Sequence, residues 1–472
     1  MPLEVFLQIS SYLSTPDLGS LRRTCKHAEA SLSETFAREF FSKRQFMRSE
    51  TSLQVLIDIS NHQKFSQYLS HVIIGLDSFE NRRNPTNFGQ TAHSNRYEAG
   101  LADERALLSM GQDREMLAQA FRNLPNLQTV GLRDYSSGGR VRDNCRWHSY
   151  GVPTIFQETG IWLGDSGGML AGDEQTQFVS RAFFSIIYAL GQSGARPQAF
   201  EVLLGKQSPK LHYDAFKIPN FFEPAVTPVL SSLKTLLLAI GPASRHDNET
   251  DDDPDVEYPD FALRQYLCHT SNLTHLRINF QSQRGSNPQR FMAWLGRPLV
   301  QIASLNSTPV PLLPKSPDPV ALSHLRRLDI GMLTISPRVL IAIVHKFKTT
   351  LRSLSLWKID LKPEDQHRRV GERPSAWPKF FAQLSDLDYL SVGCIGQVLR
   401  TRHQRIGFKL PAGQTGTPDL TRVCSRSGDM VHFLNNLVSD AVVNWPGGDS
   451  LSDDDSMSDD YDDSDTDMDD DE

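Results

Sequence analysis

The chain has 472 residues, of which 39% are hydrophobic and 22% are charged, so it is long enough to bury a large core. No apolar run approaches the roughly 20 residues that a membrane-spanning helix needs, and no basic segment followed by an apolar one marks a signal peptide. The five cysteines are scattered, and none forms a Cys-x-x-Cys pair. We therefore expect a soluble protein of the reducing cytoplasm or nucleus, without disulfides or a zinc site.

Acidic residues are concentrated at the C-terminal end. Of the 56 Asp and Glu residues, 14 lie in residues 449–472, which contain no Lys or Arg. The net charge of −7 therefore conceals a net charge of +7 on residues 1–448. A segment with so much charge and so few apolar side chains cannot offset the entropy of ordering, so we predict a disordered acidic tail over residues 447–472.

The N-terminal residues predict a short amphipathic helix. Pro2 suits a first helical turn, where its missing N–H costs nothing. Val5, Ile9, Tyr12 and Leu13 then fall at helical spacing and form one apolar stripe.

A second helix follows at once. Thr15 is a suitable N-cap before Pro16, and the next apolar stripe is formed by Leu18, Leu21, Cys25 and Leu32. Two short helices cannot bury both stripes against each other. The pattern therefore indicates a small helical module that needs a neighbour, which is either the rest of the chain or another protein.

The order of these residues resembles an F-box, the helical motif that docks a substrate receptor onto the Skp-type adaptor of a cullin-RING ubiquitin ligase. The resemblance rests on Pro2, Glu4, Ile9, Tyr12, Leu13, Asp17, Leu18, Leu21, Cys25 and Lys26. It implies an F-box over residues 1–45, and through the adaptor it implies cullin and RING partners. The adaptor-binding residues that it implies are Pro2, Val5, Ile9, Leu13, Leu18, Leu21 and Cys25. The alternative is an ordinary helix pair that caps the next domain.

The middle of the chain repeats the pattern L-x-x-L-x-x-L-x-L, and each copy ends as an alternating strand that follows a helix-like stretch. The full copies are Leu124/Leu127/Val130/Leu132, Leu230/Leu233/Leu236/Leu238, Leu322/Leu325/Leu328/Ile330 and Leu384/Leu387/Leu390/Val392. Repeated helix-strand units are typical of leucine-rich repeats, which stack because no unit buries its apolar face alone. We predict an α/β fold with an irregular leucine-rich-repeat-like solenoid, or horseshoe, over residues 46–394. Together with the N-terminal motif, this arrangement is similar to fungal-type F-box proteins. The alternative is an ordinary α/β domain with leucine-rich strands.

The spacing between copies is longer than a regular repeat allows, so we predict long inserted loops. They are placed at Asn81–Asp113, Tyr135–Gln175, Asp247–Asp260 and Asn306–Ala321. Residues 395–446 break the pattern and are predicted to form a C-terminal cap.

Catalytic motifs carry little weight here. Gly164–Gly168 matches the loop around the nucleophile of chymotrypsin-like proteases, but the interval from His93 to Ser166 is too short and polar to supply the double barrel that this chemistry needs. No phosphate-binding or metal-binding motif occurs. We therefore expect a protein that is not an enzyme, with no catalytic residue, no cofactor and no metal.

Nucleic-acid and membrane binding are also not expected. Arg140, Arg142 and Arg146 lie near Tyr135 and Trp147, a combination that can bind nucleic acid. The positive excess is diluted over 448 residues, however, and a short arginine-aromatic loop is more often a protein contact.

Period-two alternation places the residues between the repeat leucines on a face opposite the core, where repeat proteins commonly bind. The substrate-binding candidates on that face are Arg133, Arg277, Arg327, Trp357 and Tyr389. We expect Arg327 and Trp357 to be close neighbours that suit an acidic or phosphorylated protein. The predicted function is the substrate-recognition subunit of a Skp-cullin-F-box ubiquitin ligase. The alternative is an F-box scaffold without a role in ubiquitination.

Overall fold

The structure is a computed structural model, and part of the chain is described. The described residues are 2–79, 92–135, 150–161, 172–205, 210–241, 260–280, 287–299, 317–363, 375–399, 402–410, 418–425 and 429–443. The predicted acidic tail, the Gly164–Gly168 string and Arg140–Trp147 lie outside these residues.

The chain begins with three helices, α1 (Leu3–Ser11), α2 (Thr15–Thr24) and α3 (Lys26–Phe41). The Asp17 backbone N–H donates to Ser14 Oγ at 3.3 Å, so the N-cap of α2 is Ser14 rather than the predicted Thr15. Cys25 caps α3 in the same way, because its Sγ accepts from the Ala28 backbone N–H. The predicted helix pair is therefore a three-helix module.

Strands and helices then alternate. The strands are β1 (Lys43–Met47), β2 (His71–Gly75), β3 (Thr129–Arg133), β4 (Ala199–Leu203), β5 (Thr235–Ile240), β6 (His275–Phe280), β7 (Arg327–Ile335), β8 (Ser353–Leu361), β9 (Tyr389–Gly393), β10 (Gly396–Leu399), β11 (Arg402–Phe408), β12 (Thr421–Cys424) and β13 (Ala441–Val443). The later helices are α4 (Glu50–Asn61), α5 (Ala92–Ser109), α6 (Gln112–Arg122), α7 (Val152–Thr159), α8 (Gly172–Ser193), α9 (Glu223–Ser232), α10 (Phe261–Cys268), α11 (Asn287–Gly296), α12 (Pro337–Phe347), α13 (Trp377–Phe381) and α14 (Met430–Asp440).

One open, parallel-rich sheet organises the α/β fold. Strands β1 to β9 pair in chain order, each parallel to the one before it. At the C-terminal end β10 pairs parallel to β8, and β11, β12 and β13 add antiparallel pairs. The described residues between 395 and 443 therefore lie at this end of the sheet, where α14 packs against α13.

The repeated leucines lie in a single core between the sheet and a layer of helices. In each strand alternate residues point into this core, such as Val130 and Leu132 in β3 or Leu328 and Ile330 in β7. All members of the four full copies are buried. The prediction that they form the core is confirmed, and the side chains between them define the opposite face of the sheet.

Two predicted loops contain helices. The Asn81–Asp113 segment includes α5, whose Tyr97, Glu104 and Leu107 are buried. Glu104 accepts from the Phe79 backbone N–H at 2.8 Å and from Ser78 Oγ at 3.0 Å. The loop prediction failed because tertiary contacts, rather than a clear apolar stripe, stabilise this helix.

The other loop and domain boundaries also differ from prediction. The Tyr135–Gln175 segment contains α7 and the start of α8. Residues 247–259 and 306–316 lie outside the described part of the chain. The module boundary predicted at residue 45 falls inside β1, which already pairs with β2. Across the described residues, no helix is long and apolar enough to cross a membrane.

The buried ion pair of Asp260 and Arg264 gives a stability prediction. Arg264 Nη2 lies 2.5 Å from Asp260 Oδ2, and both side chains are almost fully buried. Burial raises the pKa of Asp260, and Arg264 opposes that rise. Arg264→Met should lower the unfolding free energy by about 3–5 kcal/mol, because it leaves a buried carboxylate without its cation. Chemical denaturation measures this, with the exposed Arg326→Met as control. A loss no larger than that of the control would contradict the prediction.

Candidate functional site

The N-terminal module has a small core of its own. Leu18, Leu32 and Phe40 are buried together. The partly buried side chains packed around them are Phe6, Leu7, Leu13, Leu21, Phe36 and Phe41. This core closes one side of α1 and leaves its other side open.

The open side of α1 is apolar. Val5, Ile9 and Tyr12 are 44%, 50% and 83% exposed, and their spacing places them on one face of the helix. Leu3, at the start of the helix, is half exposed. An exposed apolar stripe on a short helix is typical of a surface that packs against a partner.

The predicted adaptor-binding residues divide into three groups. Pro2, Val5, Ile9 and Cys25 are exposed, whereas Leu13 and Leu21 are partly buried at the edge of the module core. Leu18 is only 3% exposed, so the structure places it inside the module rather than on the docking surface. The second apolar stripe is thus largely used to hold the three helices together.

Two exposed residues were absent from the predicted site. Tyr12 belongs to the predicted stripe and is the most exposed large apolar side chain of α1, and Leu3 precedes the stripe. Their helical spacing relative to Val5 and Ile9 was the available signal. The third helix, which sets which face of α1 is covered, was not predicted.

Comparison with known families identifies this module. Residues 1–33 match the F-box domain. F-box domains bind Skp-type adaptors, and proteins that carry them are generally non-catalytic substrate receptors. No curated protein matches the chain. The F-box match covers α1, α2 and the first half of α3, and therefore the exposed stripe.

The face of the sheet opposite the helices is the second candidate surface. Register aligns its side chains in three rows that run across β1 to β9. The first row is Lys43, His71, Thr129, Ala199, Thr235, His275, Arg327, Ser353 and Tyr389. The second row is Gln45, Ile73, Gly131, Glu201, Leu237, Arg277, Asp329, Ser355 and Ser391. The third row is Met47, Gly75, Arg133, Leu203, Ala239, Asn279, Gly331, Trp357 and Gly393.

Arg133 is committed to a charge cluster near the F-box end of this face. Its Nη2 lies 3.2 Å from Glu201 Oε2, and His71 Nε2 lies 3.7 Å from the same oxygen. Burial, with Lys43 and Arg133 nearby, lowers the pKa of His71 to about 3. His71 is therefore neutral at pH 7, and Arg133, only 6% exposed, is the cation that compensates Glu201. Arg133 was predicted to bind the substrate, but its burial and its pairing with Glu201 leave it unavailable to a ligand.

A second charge cluster lies near the middle of the sheet. Asp329 Oδ2 lies 2.8 Å from His275 Nε2 and 3.1 Å from Arg327 Nε. Burial pushes the pKa of Asp329 up, but the hydrogen bonds and charges of His275 and Arg327 outweigh it and lower the pKa overall. Arg327 is thus oriented by Asp329 and remains partly exposed.

Arg327 and Trp357 lie on the same face but not side by side, which corrects the prediction. Arg327 is opposite Ser353 in the register of β7 and β8, and Trp357 is opposite Gly331. The four-residue offset separates the two positions by about 13 Å along the strand. The alternation was correct, and the strands pair with the repeat leucines in line, Leu328 opposite Leu354 and Ile330 opposite Leu356. That alignment already places Arg327 opposite Ser353 rather than Trp357.

Trp357 and its neighbours form the most exposed aromatic part of this face. The Trp357 side chain, 38% exposed, covers Gly393 on β9, where a Cβ atom would lie 2.1 Å from the indole ring. Tyr389 and Arg277 are partly exposed. Within the described ranges, no group of three or more His, Cys, Asp or Glu could hold a metal ion.

The different burial of Leu18 and Ile9 can be tested. Leu18→Ala should lower the unfolding free energy of the F-box by about 2–5 kcal/mol, because it leaves a cavity in the module core. Ile9→Ala should change it by about 0.5 kcal/mol or less, because half of the Ile9 side chain is already in water. Hydrogen exchange of the α1 to α3 amides measures both effects. Equal losses from the two substitutions would contradict the burial described here.

Proposed function

We propose that this protein is the substrate-recognition subunit of a Skp-cullin-F-box ubiquitin ligase. The observation that carries the proposal is the F-box match at residues 1–33 together with the exposed stripe Val5, Ile9 and Tyr12 on α1. These side chains would be buried against the Skp-type adaptor, and through it the chain would join the cullin and RING subunits. The F-box supplies the coupling, and the sheet supplies a separate surface for a target.

The proposed mechanism is non-catalytic. An adaptor bound at α1 and a target bound on the sheet would be held in one complex, which raises the effective concentration of the target near the ubiquitin-loaded subunit. The connection between the F-box and the sheet is short, because α3 is followed after Ser42 by β1. The Phe41 ring also stacks on Phe65 with centroids 4.0 Å apart, which ties α3 to the sheet domain.

We interpret the sheet domain as an irregular leucine-rich-repeat-like solenoid. Nine parallel strands in chain order and helices gathered on one side support this interpretation. The proposed target site is the part of the opposite face around Arg277, Arg327, Trp357 and Tyr389. Its cations and aromatic rings suit an acidic or phosphorylated protein segment.

Adaptor binding is tested by charge on the exposed stripe. Val5→Asp with Ile9→Asp should abolish binding to a purified Skp-type adaptor, because an apolar interface does not accept unpaired carboxylates. Both positions are on the surface, so the protein should remain folded. Pull-down and isothermal calorimetry measure binding, with the exposed Thr35→Asp on α3 as control. Unchanged binding by the folded double variant would overturn the F-box assignment.

Target binding is tested on the sheet face. Trp357→Ala and Tyr389→Ala should each weaken capture of a protein target by about 1 to 4 kcal/mol, as truncation of an aromatic anchor does at binding hot spots. Adaptor binding should not change. Quantitative affinity purification measures capture, with Val431→Ala on α14 as the exposed apolar control. Equal recovery of the same partners by all variants would exclude this face.

Ubiquitination of a captured partner in a reconstituted complex then distinguishes a ligase subunit from a scaffold that takes no part in ubiquitination.

A further inference from the structure

A cavity of about 670 Å³ lies on the helical side of the protein, remote from the exposed stripe of the F-box and from the outer face of the sheet. Its walls come from α5, α6, α8, α10 and residues 215–222, and from Arg48 next to β1. No residue of the F-box or of the target face lines it. Its size is that of a pocket for a small organic ligand.

A third of the residues that line the cavity are aromatic. Phe178, Phe183, Tyr188 and Phe222 line the cavity, and the Tyr188 and Phe222 rings stack with centroids 5.2 Å apart. Phe221, at the same cavity, is 87% exposed. Such walls favour an apolar ligand body, which would cover the exposed ring of Phe221.

The charges around the cavity are unequal. The lining contains five basic residues and one acidic residue, Asp113. Asp113 is already engaged, because it accepts from Ser185 Oγ at 2.7 Å and lies 3.6 Å from Arg48 Nη1 in a buried pair. The other four cations, Arg105, Arg114, Arg181 and Lys217, are exposed. An anionic group at the opening would therefore meet an excess of basic side chains.

A buried hydroxyl lies in the wall. Tyr266 is 1% exposed, and its Oη has no hydrogen-bond partner within the described part of the chain. Its ring packs edge-on against Phe216, which fixes its orientation. Burial raises the pKa of Tyr266, so the hydroxyl keeps its proton and can donate. Buried polar groups are nearly always satisfied, and a ligand oxygen in the cavity would satisfy this donor.

The geometry points to a binding site for a small amphipathic organic anion. Its body is aliphatic or aromatic carbon that packs between the Phe and Tyr rings. An ether, carbonyl or sulfonyl oxygen on that body accepts from Tyr266 Oη, and a carboxylate or phosphate head lies among Arg105, Arg114, Arg181 and Lys217. This site is independent of adaptor and target binding.

The probe is 11-(dansylamino)undecanoate, which combines an apolar chain, sulfonyl acceptors and a carboxylate. Titration into the full-length protein should give saturable fluorescence enhancement with one site per chain. The methyl ester of the probe should bind at least tenfold more weakly, because it lacks the charge. Displacement by dodecanoate or by dodecyl phosphate identifies the preferred head group, and either result supports the site. Equal displacement by dodecanol would overturn the anion requirement.

Variants locate the probe. Arg181→Glu with Lys217→Glu should weaken binding at least tenfold, whereas the matched reversal Lys362→Glu with Lys379→Glu, outside the cavity, should not. Tyr266→Phe should weaken binding several-fold without lowering the melting temperature, since it removes a donor that has no partner among the described residues. Circular dichroism checks folding, and if a variant unfolds, the ester comparison on the unmodified protein decides. Non-saturable binding, or equal affinity for acid and ester, would overturn the proposal.

Discussion

Parallel pairing of β1 to β9 in unbroken chain order is the constraint on which the rest of the structure depends. Because side chains alternate along a strand, this pairing sends one set of residues into the core and aligns the other set in rows on the opposite face. A slip of one residue in any strand would exchange the two sets. Leu328 and Ile330, buried beside Leu354 and Leu356, fix the register at the centre of the sheet.

Charge compensation limits which parts of the surface can bind. Arg133 with Glu201 and Arg48 with Asp113 are buried pairs, so each arginine compensates an internal carboxylate. Asp329 is similarly surrounded by His275 and Arg327. Removing one partner from such a pair leaves an uncompensated charge, whereas the pair itself contributes little net stability. The groups that remain for the proposed binding are partly exposed ones such as Trp357 and the exposed cations around the helical-side cavity.

The F-box combines an independent core with a tight connection. Leu18, Leu32 and Phe40 hold its helices together without help from the sheet. Phe41 contacts both this core and the main one, and only Ser42 separates α3 from β1. In the proposed receptor, so close a connection would fix the orientation of α1 relative to the sheet, as the positioning of a target requires.

The sequence alone determined the features that depend on local pattern. Helical spacing identified the N-terminal module and the stripe of Val5 and Ile9, and the repeated leucines identified the core positions and the alternation of the strands.

Tertiary structure decided what depends on contacts between distant segments. Leu18 became internal because α3 packs on it, and Arg133 became a partner of Glu201 because β3 lies beside β4. The cavity at Tyr266 was formed by helices far apart in the chain. Spacing along one segment defines the face of a helix or strand, but the neighbours that cover that face are set only by packing.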